Sequence, residues 1–200
     1  METITWVEII EYSVQELRSA LLSRNFESQD YKTYAQSVVY YLEENLDDSL
    51  KLKCENKNLQ LLIDIRVSIL NEELTEAKVR DLENSTFFED NRFRGEFLFL
   101  LGVAMNKLSD WGLSLYYFEK AYYALKDLGA TRKALKSYLN VAVANCRADK
   151  NKRAIADFLF VADEAQKIRD KVVEGACLLN VSYEYHKLGT LKLSLSYVNR

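Results

Sequence analysis

The sequence contains no proline and little glycine. It has 6 glycines among 200 residues, where average usage predicts roughly ten prolines and about 14 glycines. Sandwiches and barrels need such turn residues every few positions, so most of these all-β architectures are excluded. A chain that is 48% hydrophobic and 28% charged has the composition of one ordinary soluble domain or of one compact array of repeats.

Cysteine is also scarce. Cys54, Cys146 and Cys177 are odd in number and widely spaced, so neither a disulfide framework nor a zinc site is indicated. The longest apolar run, Phe97 to Met105, is far shorter than the ~20 residues that span a bilayer. The first residues lack the basic and apolar stretches of a secretory signal. We expect a cytoplasmic protein with buried, reduced thiols and with no metal, cofactor or membrane partner.

The formal net charge of -3 conceals an uneven distribution. Residues 1–100 hold 20 acidic and 11 basic side chains, a net -9, whereas residues 101–200 hold 10 and 16, a net +6. Three interpretations stay open: the charges solvate outer helix faces, the basic half attracts an acidic ligand, or unlike ends associate head to tail.

Apolar residues recur at helical spacing along almost the whole chain. The breaks are short clusters of Asp, Asn, Ser and Gly, which predict consecutive antiparallel helices. Gly129 suits the left-handed residue after one helix, and Thr131 suits the N-cap of the next. Residues 109–110, 149–151 and 188–190 predict similar turns.

A shift of 40 residues aligns the second half of the sequence with itself. The aligned columns are aliphatic (Leu101, Val141, Val181), small (Gly102, Ala142, Ser182), small again (Ser114, Ala154, Ser194) and bulky (Phe118, Phe158, Val198). Small residues let two helices approach closely, and large ones fill the adjacent gap. The pattern predicts a repeated helix–turn–helix unit.

This unit resembles the tetratricopeptide repeat. The residues that carry the resemblance most clearly are Leu101, Gly102, Met105, Ser114, Phe118 and Ala121, joined in the third unit by Tyr185 and Gly189. The 40-residue period and the missing proline are similar to the longer-repeat branch found in kinesin light chains, spindle-orientation adaptors and Rap-type bacterial peptide sensors.

The resemblance implies an all-α fold, a right-handed superhelix (α-solenoid) of antiparallel helix pairs. Residues 95–200 would form three repeats of 40-residue period, the last one incomplete. Residues 1–94 would form degenerate repeats whose second helices begin around Ala35 and Ala77.

In a stacked array the first helix of each pair lines a concave surface. The residues predicted to form a peptide-binding groove there are Phe99, Val103 and Lys107, then Leu139, Asn140, Val143 and Arg147, then Asn180, Tyr183 and Lys187. The groove would have an apolar floor, two asparagines one repeat apart and a row of three bases.

An asparagine side chain pairs with both the N–H and the C=O of an extended peptide. The resemblance implies that Asn140 and Asn180 form such a clamp, while Leu100 departs from the motif. Alternatively, the asparagines cap or bridge neighbouring helices. Lys107, Arg147 and Lys187 suit an acidic peptide or a terminal carboxylate, or else form a solvated row.

Other functions find less support. Five aromatic residues lie on one predicted helix, and such rings can stack on nucleic-acid bases; they are Tyr116, Tyr117, Phe118, Tyr122 and Tyr123. The pI of about 5.4 is not that of a nucleic-acid binder, which is usually strongly basic. We therefore expect no nucleic-acid partner. The lone His186 has no companion for metal binding or catalysis, and phosphate-binding glycine loops are missing. We therefore expect no enzymatic activity.

The last predicted helix begins near Thr190 and places Leu191, Leu195 and Val198 on one face. Repeat arrays need a polar capping helix over such a face. We expect this surface to be covered by a second copy of the chain or by further sequence.

The sequence thus predicts a non-enzymatic scaffold that binds an extended, acidic peptide segment of a partner protein. The leading alternative is a peptide- or partner-responsive sensor domain of a signalling protein, in which binding changes the superhelical pitch. A self-assembling structural unit is a third hypothesis.

Overall fold

A computed structural model describes residues 3–85 and 91–198. Within these ranges the chain forms helices joined by turns and short loops, with no strand beyond an isolated bridge between Ile4 and Phe26. The helices are α1 Trp6–Glu11, α2 Val14–Ser23, α3 Gln29–Leu42, α4 Leu46–Ser49, α5 Lys57–Leu70, α6 Glu76–Ser85, α7 Arg94–Lys107, α8 Trp111–Asp127, α9 Thr131–Arg147, α10 Asn151–Lys167, α11 Lys171–Lys187 and α12 Leu191–Val198. The predicted all-α class is confirmed.

The helices from α7 to α12 are regular, and each packs against the next along the chain. Helices α8 to α11 are each 17 residues long. The turns between them each contain one residue with positive φ, at Ser109, Gly129, Asp149, Arg169 and Gly189. The predicted turns are confirmed. Because the left-handed residue recurs every twenty positions, consecutive helices reverse direction with the same local geometry.

The start of α9 differs from the prediction. Its N-cap is Ala130, which supplies no side-chain cap, so the prediction of Thr131 as the N-cap is wrong. Instead the carboxylate of Glu11 accepts hydrogen bonds from the backbone N–H of Arg132 at 3.1 Å and of Lys133 at 2.8 Å. Unpaired N–H groups at a helix start attract an acceptor from any part of the fold. The cap comes from a residue over 100 positions away.

The small and bulky columns meet inside helix pairs. A Cβ built on Gly102 would lie 2.7 Å from the Phe118 ring, and the Ser114 hydroxyl donates to the Gly102 carbonyl oxygen at 3.2 Å. In the last pair the Ser182 hydroxyl donates to the Ser194 carbonyl oxygen at 2.9 Å. The corresponding residues of α9 and α10, namely Ala142, Ala154 and Phe158, are buried. Small side chains at these positions allow the close approach of paired helices.

The first six helices are less regular, with lengths from 4 to 14 residues. Helix α3 packs against α5, α5 against α7, and α1 against both α3 and α9. Ala35 is buried in α3, whereas Ala77 is exposed on α6. The N-terminal half therefore lies against both α7 and α9, and its description as degenerate repeats stays a prediction.

A buried ionic cluster joins the two halves. The Tyr34 hydroxyl donates to Glu96 Oε1 at 2.9 Å and accepts from Arg66 at 2.9 Å, and Arg66 also pairs with Glu96. Lys133 Nζ lies 3.0 Å from Glu96 Oε2. Burial by itself raises the pKa of Glu96, but the Lys133 ammonium and the Arg66 guanidinium outweigh it and lower that pKa. These four residues connect α3, α5, α7 and α9.

Candidate peptide-binding site

Asn140 of α9 and Asn180 of α11 make the same contact in their own helices. Asn140 Nδ2 donates to the Lys136 carbonyl oxygen at 3.0 Å, and Asn180 Nδ2 donates to the Ala176 carbonyl oxygen at 2.8 Å. Each bond uses one of two amide hydrogens and leaves Oδ1 without a donor among the described residues. Within the same ranges neither side chain caps or bridges another helix.

The apolar residues of the predicted site flank these asparagines. Leu139 and Val143 are half-buried against the core that α9, α10 and α11 share. Tyr183, forty positions after Val143, is 61% exposed. An exposed tyrosine supplies a large apolar surface with a polar tip and so is suited to ligand contact. On α9 and α11 the predicted floor is therefore partly accessible.

The three predicted bases have different surroundings. Lys107 Nζ donates to the Ile69 carbonyl oxygen at the end of α5, at 3.2 Å. Lys187 Nζ lies 3.6 Å from Glu184 Oε1. Arg147 is exposed and forms no ion pair within the described ranges. They are therefore not equivalent members of one row.

Glu184 is a buried acid that the sequence analysis missed. It lies beside Lys187, and its Oε2 accepts no hydrogen bond from the described residues. Burial and, to a smaller extent, the Glu184 carboxylate raise the pKa of the neighbouring Cys146 thiol to about 12. The 40-residue alignment did contain a signal, because Glu184 falls in the same column as Ala104 and Ala144.

Phe99 and Val103 of α7 are placed differently from their counterparts on α9 and α11. Both are half-buried against the N-terminal core, where α5 packs on α7. The ammonium of Lys133 lies 3.9 Å from the centre of the Phe99 ring. A cavity of about 400 Å³ opens between α5 and α7; its lining includes Ile69, Leu74, Ala104 and Lys107. The predicted residues thus divide into an α7 group beside α5 and an α9–α11 group.

No protein-family model, curated protein or solved structure matches the chain. In the described part of the chain, no helix has the length and apolar character needed to cross a membrane. No group of three or more His, Cys, Asp or Glu residues within 3–85 and 91–198 is arranged to hold a metal ion.

Proposed function

We propose that this chain is a tetratricopeptide-like repeat module, coiled as a right-handed superhelix, that binds a partner protein without catalysing a reaction. Two features support a regular superhelix: the twenty-residue spacing of left-handed turn residues and the Gly102–Phe118 contact inside a helix pair. Identical turns and equivalent packing in successive units accumulate into a uniform curvature.

The proposed ligand is an extended peptide segment lying across α9 and α11. The observation that carries this proposal is the equivalent geometry of Asn140 and Asn180, each held by its own helix with an amide hydrogen and Oδ1 left over. Such an amide pairs with both the N–H and the C=O of one peptide unit, independently of the peptide's side chains. Two amides on neighbouring helices would fix the direction and register of the peptide.

Charge favours an acidic segment. Arg147 and Lys187 are exposed on α9 and α11, each seven positions after its asparagine, and Lys187 lies near the buried Glu184 carboxylate. An exposed ionic contact contributes roughly 0.2–1 kcal/mol, and a hydrogen bond contributes about 1 kcal/mol. With the apolar surface of Leu139, Val143 and Tyr183, we expect affinities near micromolar, about -8 kcal/mol.

The test uses a library of random linear peptides displayed on phage. Selection on the wild type, with counter-selection on Asn140→Ala, Asn180→Ala, should enrich segments rich in Asp and Glu. Synthetic copies are then titrated by fluorescence anisotropy. Losing two hydrogen bonds of about 1 kcal/mol each should weaken binding roughly 30-fold in the double variant.

Asn58→Ala is the matched control, because Asn58 lies in the first turn of α5, on another part of the fold. It should bind the selected peptides as the wild type does. Equal affinity of the wild type and the double variant would contradict the asparagine clamp. Enrichment of basic peptides would contradict the proposed charge preference.

The contacts at the start of α9 favour one second candidate function, that of a sensor. The backbone of α9 is capped by Glu11, and Lys133 of α9 pairs with Glu96, so a ligand that moved α9 would disturb the N-terminal half. In a sensor, the ligand must bind two conformations of the protein with unequal affinity. Small-angle scattering with a saturating selected peptide should then show a changed radius of gyration, whereas a scaffold would give superimposable curves.

A further inference from the structure

Helix α12 has a largely exposed apolar face. Leu191, Leu195 and Val198 are all more than half exposed on this eight-residue helix. We name these three residues the C-terminal face. The exposed Lys192 adjoins it in sequence. Contiguous exposed apolar residues of this kind mark sites of association.

Equivalent positions forty residues earlier show what covers such a face elsewhere in the fold. Ile155 of α10 is 7% exposed, whereas Leu195 is 63% exposed; Phe158 is 0% exposed, whereas Val198 is 55% exposed. Ile155 and Phe158 share a core with Val173, Cys177 and Leu178 of α11. An apolar surface of α11 therefore covers these positions in α10. The C-terminal face has apolar side chains at the equivalent positions and is suited to pack against a similar surface.

Two exposed leucines flank an acidic segment in the N-terminal half. Leu42 and Leu50 are both about half exposed and bracket a turn rich in acids. Of these acids, Glu43 pairs with Arg18 and Asp48 with Lys51, while Glu44 and Asp47 are exposed and have no ion pair within the described ranges. We name residues 42–50 the acidic turn.

We propose that the C-terminal face of one copy of this chain docks on the acidic turn of a second copy. Both surfaces include exposed leucines; the C-terminal face adjoins the basic Lys192, whereas the acidic turn carries the exposed Glu44 and Asp47. The same complementarity extends over the whole chain, with -9 in residues 1–100 and +6 in residues 101–200. Two C-terminal faces in contact would instead bring like charges together.

Head-to-tail docking has a distinctive consequence. A head-to-tail dimer keeps one free C-terminal face and one free acidic turn, so further copies add to form open chains unless the geometry closes a ring. Its strength should fall steeply with salt, because exposed charges are screened within ~10 Å at moderate ionic strength. This inference is independent of the peptide site on α9 and α11.

The experiment is sedimentation velocity on the full chain with a charge-swap pair. The tail variant is Lys192→Glu, beside the C-terminal face, and the head variant is Glu44→Lys, Asp47→Lys. Wild type at low salt should exceed the 23.2 kDa monomer mass increasingly with concentration. Each variant alone should remain monomeric, and their equimolar mixture should associate again, because each reversed surface then meets its complement.

The control variant Glu55→Lys, Asp64→Lys changes the net charge as the head variant does, at exposed acids outside the acidic turn. It should associate as the wild type does, and circular dichroism verifies that every variant is folded. A wild type that stays at 23.2 kDa at every concentration overturns the proposal. Self-association of the head variant also overturns the proposal, because it would indicate that two C-terminal faces pair. A mixture of the two variants that stays monomeric overturns it as well.

Discussion

The carboxylate of Glu11 accepts a hydrogen bond from the backbone N–H of Lys133 at 2.8 Å. The side chain of the same lysine reaches Glu96 of α7 at 3.0 Å. Lys133 is therefore fixed by its backbone to the N-terminal segment and by its ammonium to the buried cluster. Because Lys133 and Asn140 lie on the same helix, these contacts set the position of α9 and hence of the proposed peptide site.

Removing the cap on α9 should destabilise the fold. Glu11→Ala leaves the N–H groups of Arg132 and Lys133 without their acceptor, and losing an N-terminal cap costs about 0.5–2 kcal/mol. Urea unfolding followed by circular dichroism measures the change. Glu27→Ala, at an exposed acid, is the control and should stay within about 0.5 kcal/mol of wild type. Equal stability of the two variants would show that the cap is unimportant.

Two glycine-to-alanine substitutions should act in opposite directions. Alanine at position 102 brings a Cβ to 2.7 Å from the Phe118 ring, and such overpacking costs about 1–3 kcal/mol. Alanine at position 175 meets nothing within 4 Å and should gain up to ~1 kcal/mol from helix propensity. Thermal unfolding of Gly102→Ala and Gly175→Ala should therefore lower and raise Tm respectively. Changes of the same sign would contradict the tight packing of α7 on α8.

The ionic cluster should be visible in acid unfolding. Burial raises the pKa of Glu96, but Lys133 and Arg66 lower it further than burial raises it. A carboxyl group whose pKa is lowered by folding stabilises the fold above its unfolded pKa, roughly 4.3, and loses this contribution as the pH falls through its folded pKa. Glu96→Gln should cost about 3–5 kcal/mol near neutral pH by leaving two buried cations unpaired.

The difference in unfolding free energy between wild type and Glu96→Gln should therefore shrink as the pH falls below roughly 4.3. If that variant does not fold, the apolar replacement Tyr34→Phe, Arg66→Met, Glu96→Leu, Lys133→Met keeps the test available, because uncharged cores of similar volume are tolerated. It should lack the acid-dependent loss that Glu96 contributes. An unchanged difference across the acid range would contradict the proposed role of the cluster.

The three cysteines should react slowly. All three thiols are free, and Cys177 is buried as expected. Cys54 and Cys146 are half-buried, so the expectation of full burial is wrong for these two. Burial raises the pKa of each thiol to about 12, and only the thiolate attacks disulfide reagents. At pH near 8 we expect little reaction of the native protein with Ellman's reagent and three rapid equivalents after urea unfolding. Rapid labelling of a native thiol would contradict its burial.

The regular helices were predictable because their signals are local. Gly129 acts within one turn, the small residues at 102, 142 and 182 act within one helix pair, and their spacing is visible in the sequence. The cap from Glu11 and the pairing of Arg66 with Glu96 were not predictable, because each depends on tertiary contacts between distant segments. The contact of Lys107 was not predictable for the same reason. Its spacing predicted a place in the groove, but its ammonium donates to the Ile69 carbonyl oxygen at the end of α5.

The central claim is tested most directly by ¹⁵N-edited NMR spectra, which contain the side-chain amide signals of Asn140 and Asn180. These two signals are assigned with the two single alanine variants. During titration with a selected acidic peptide, both signals should shift and saturate together with the backbone signals of Leu139, Val143 and Tyr183. A peptide that binds while both asparagine signals stay unchanged would contradict the account and move the binding surface away from α9 and α11.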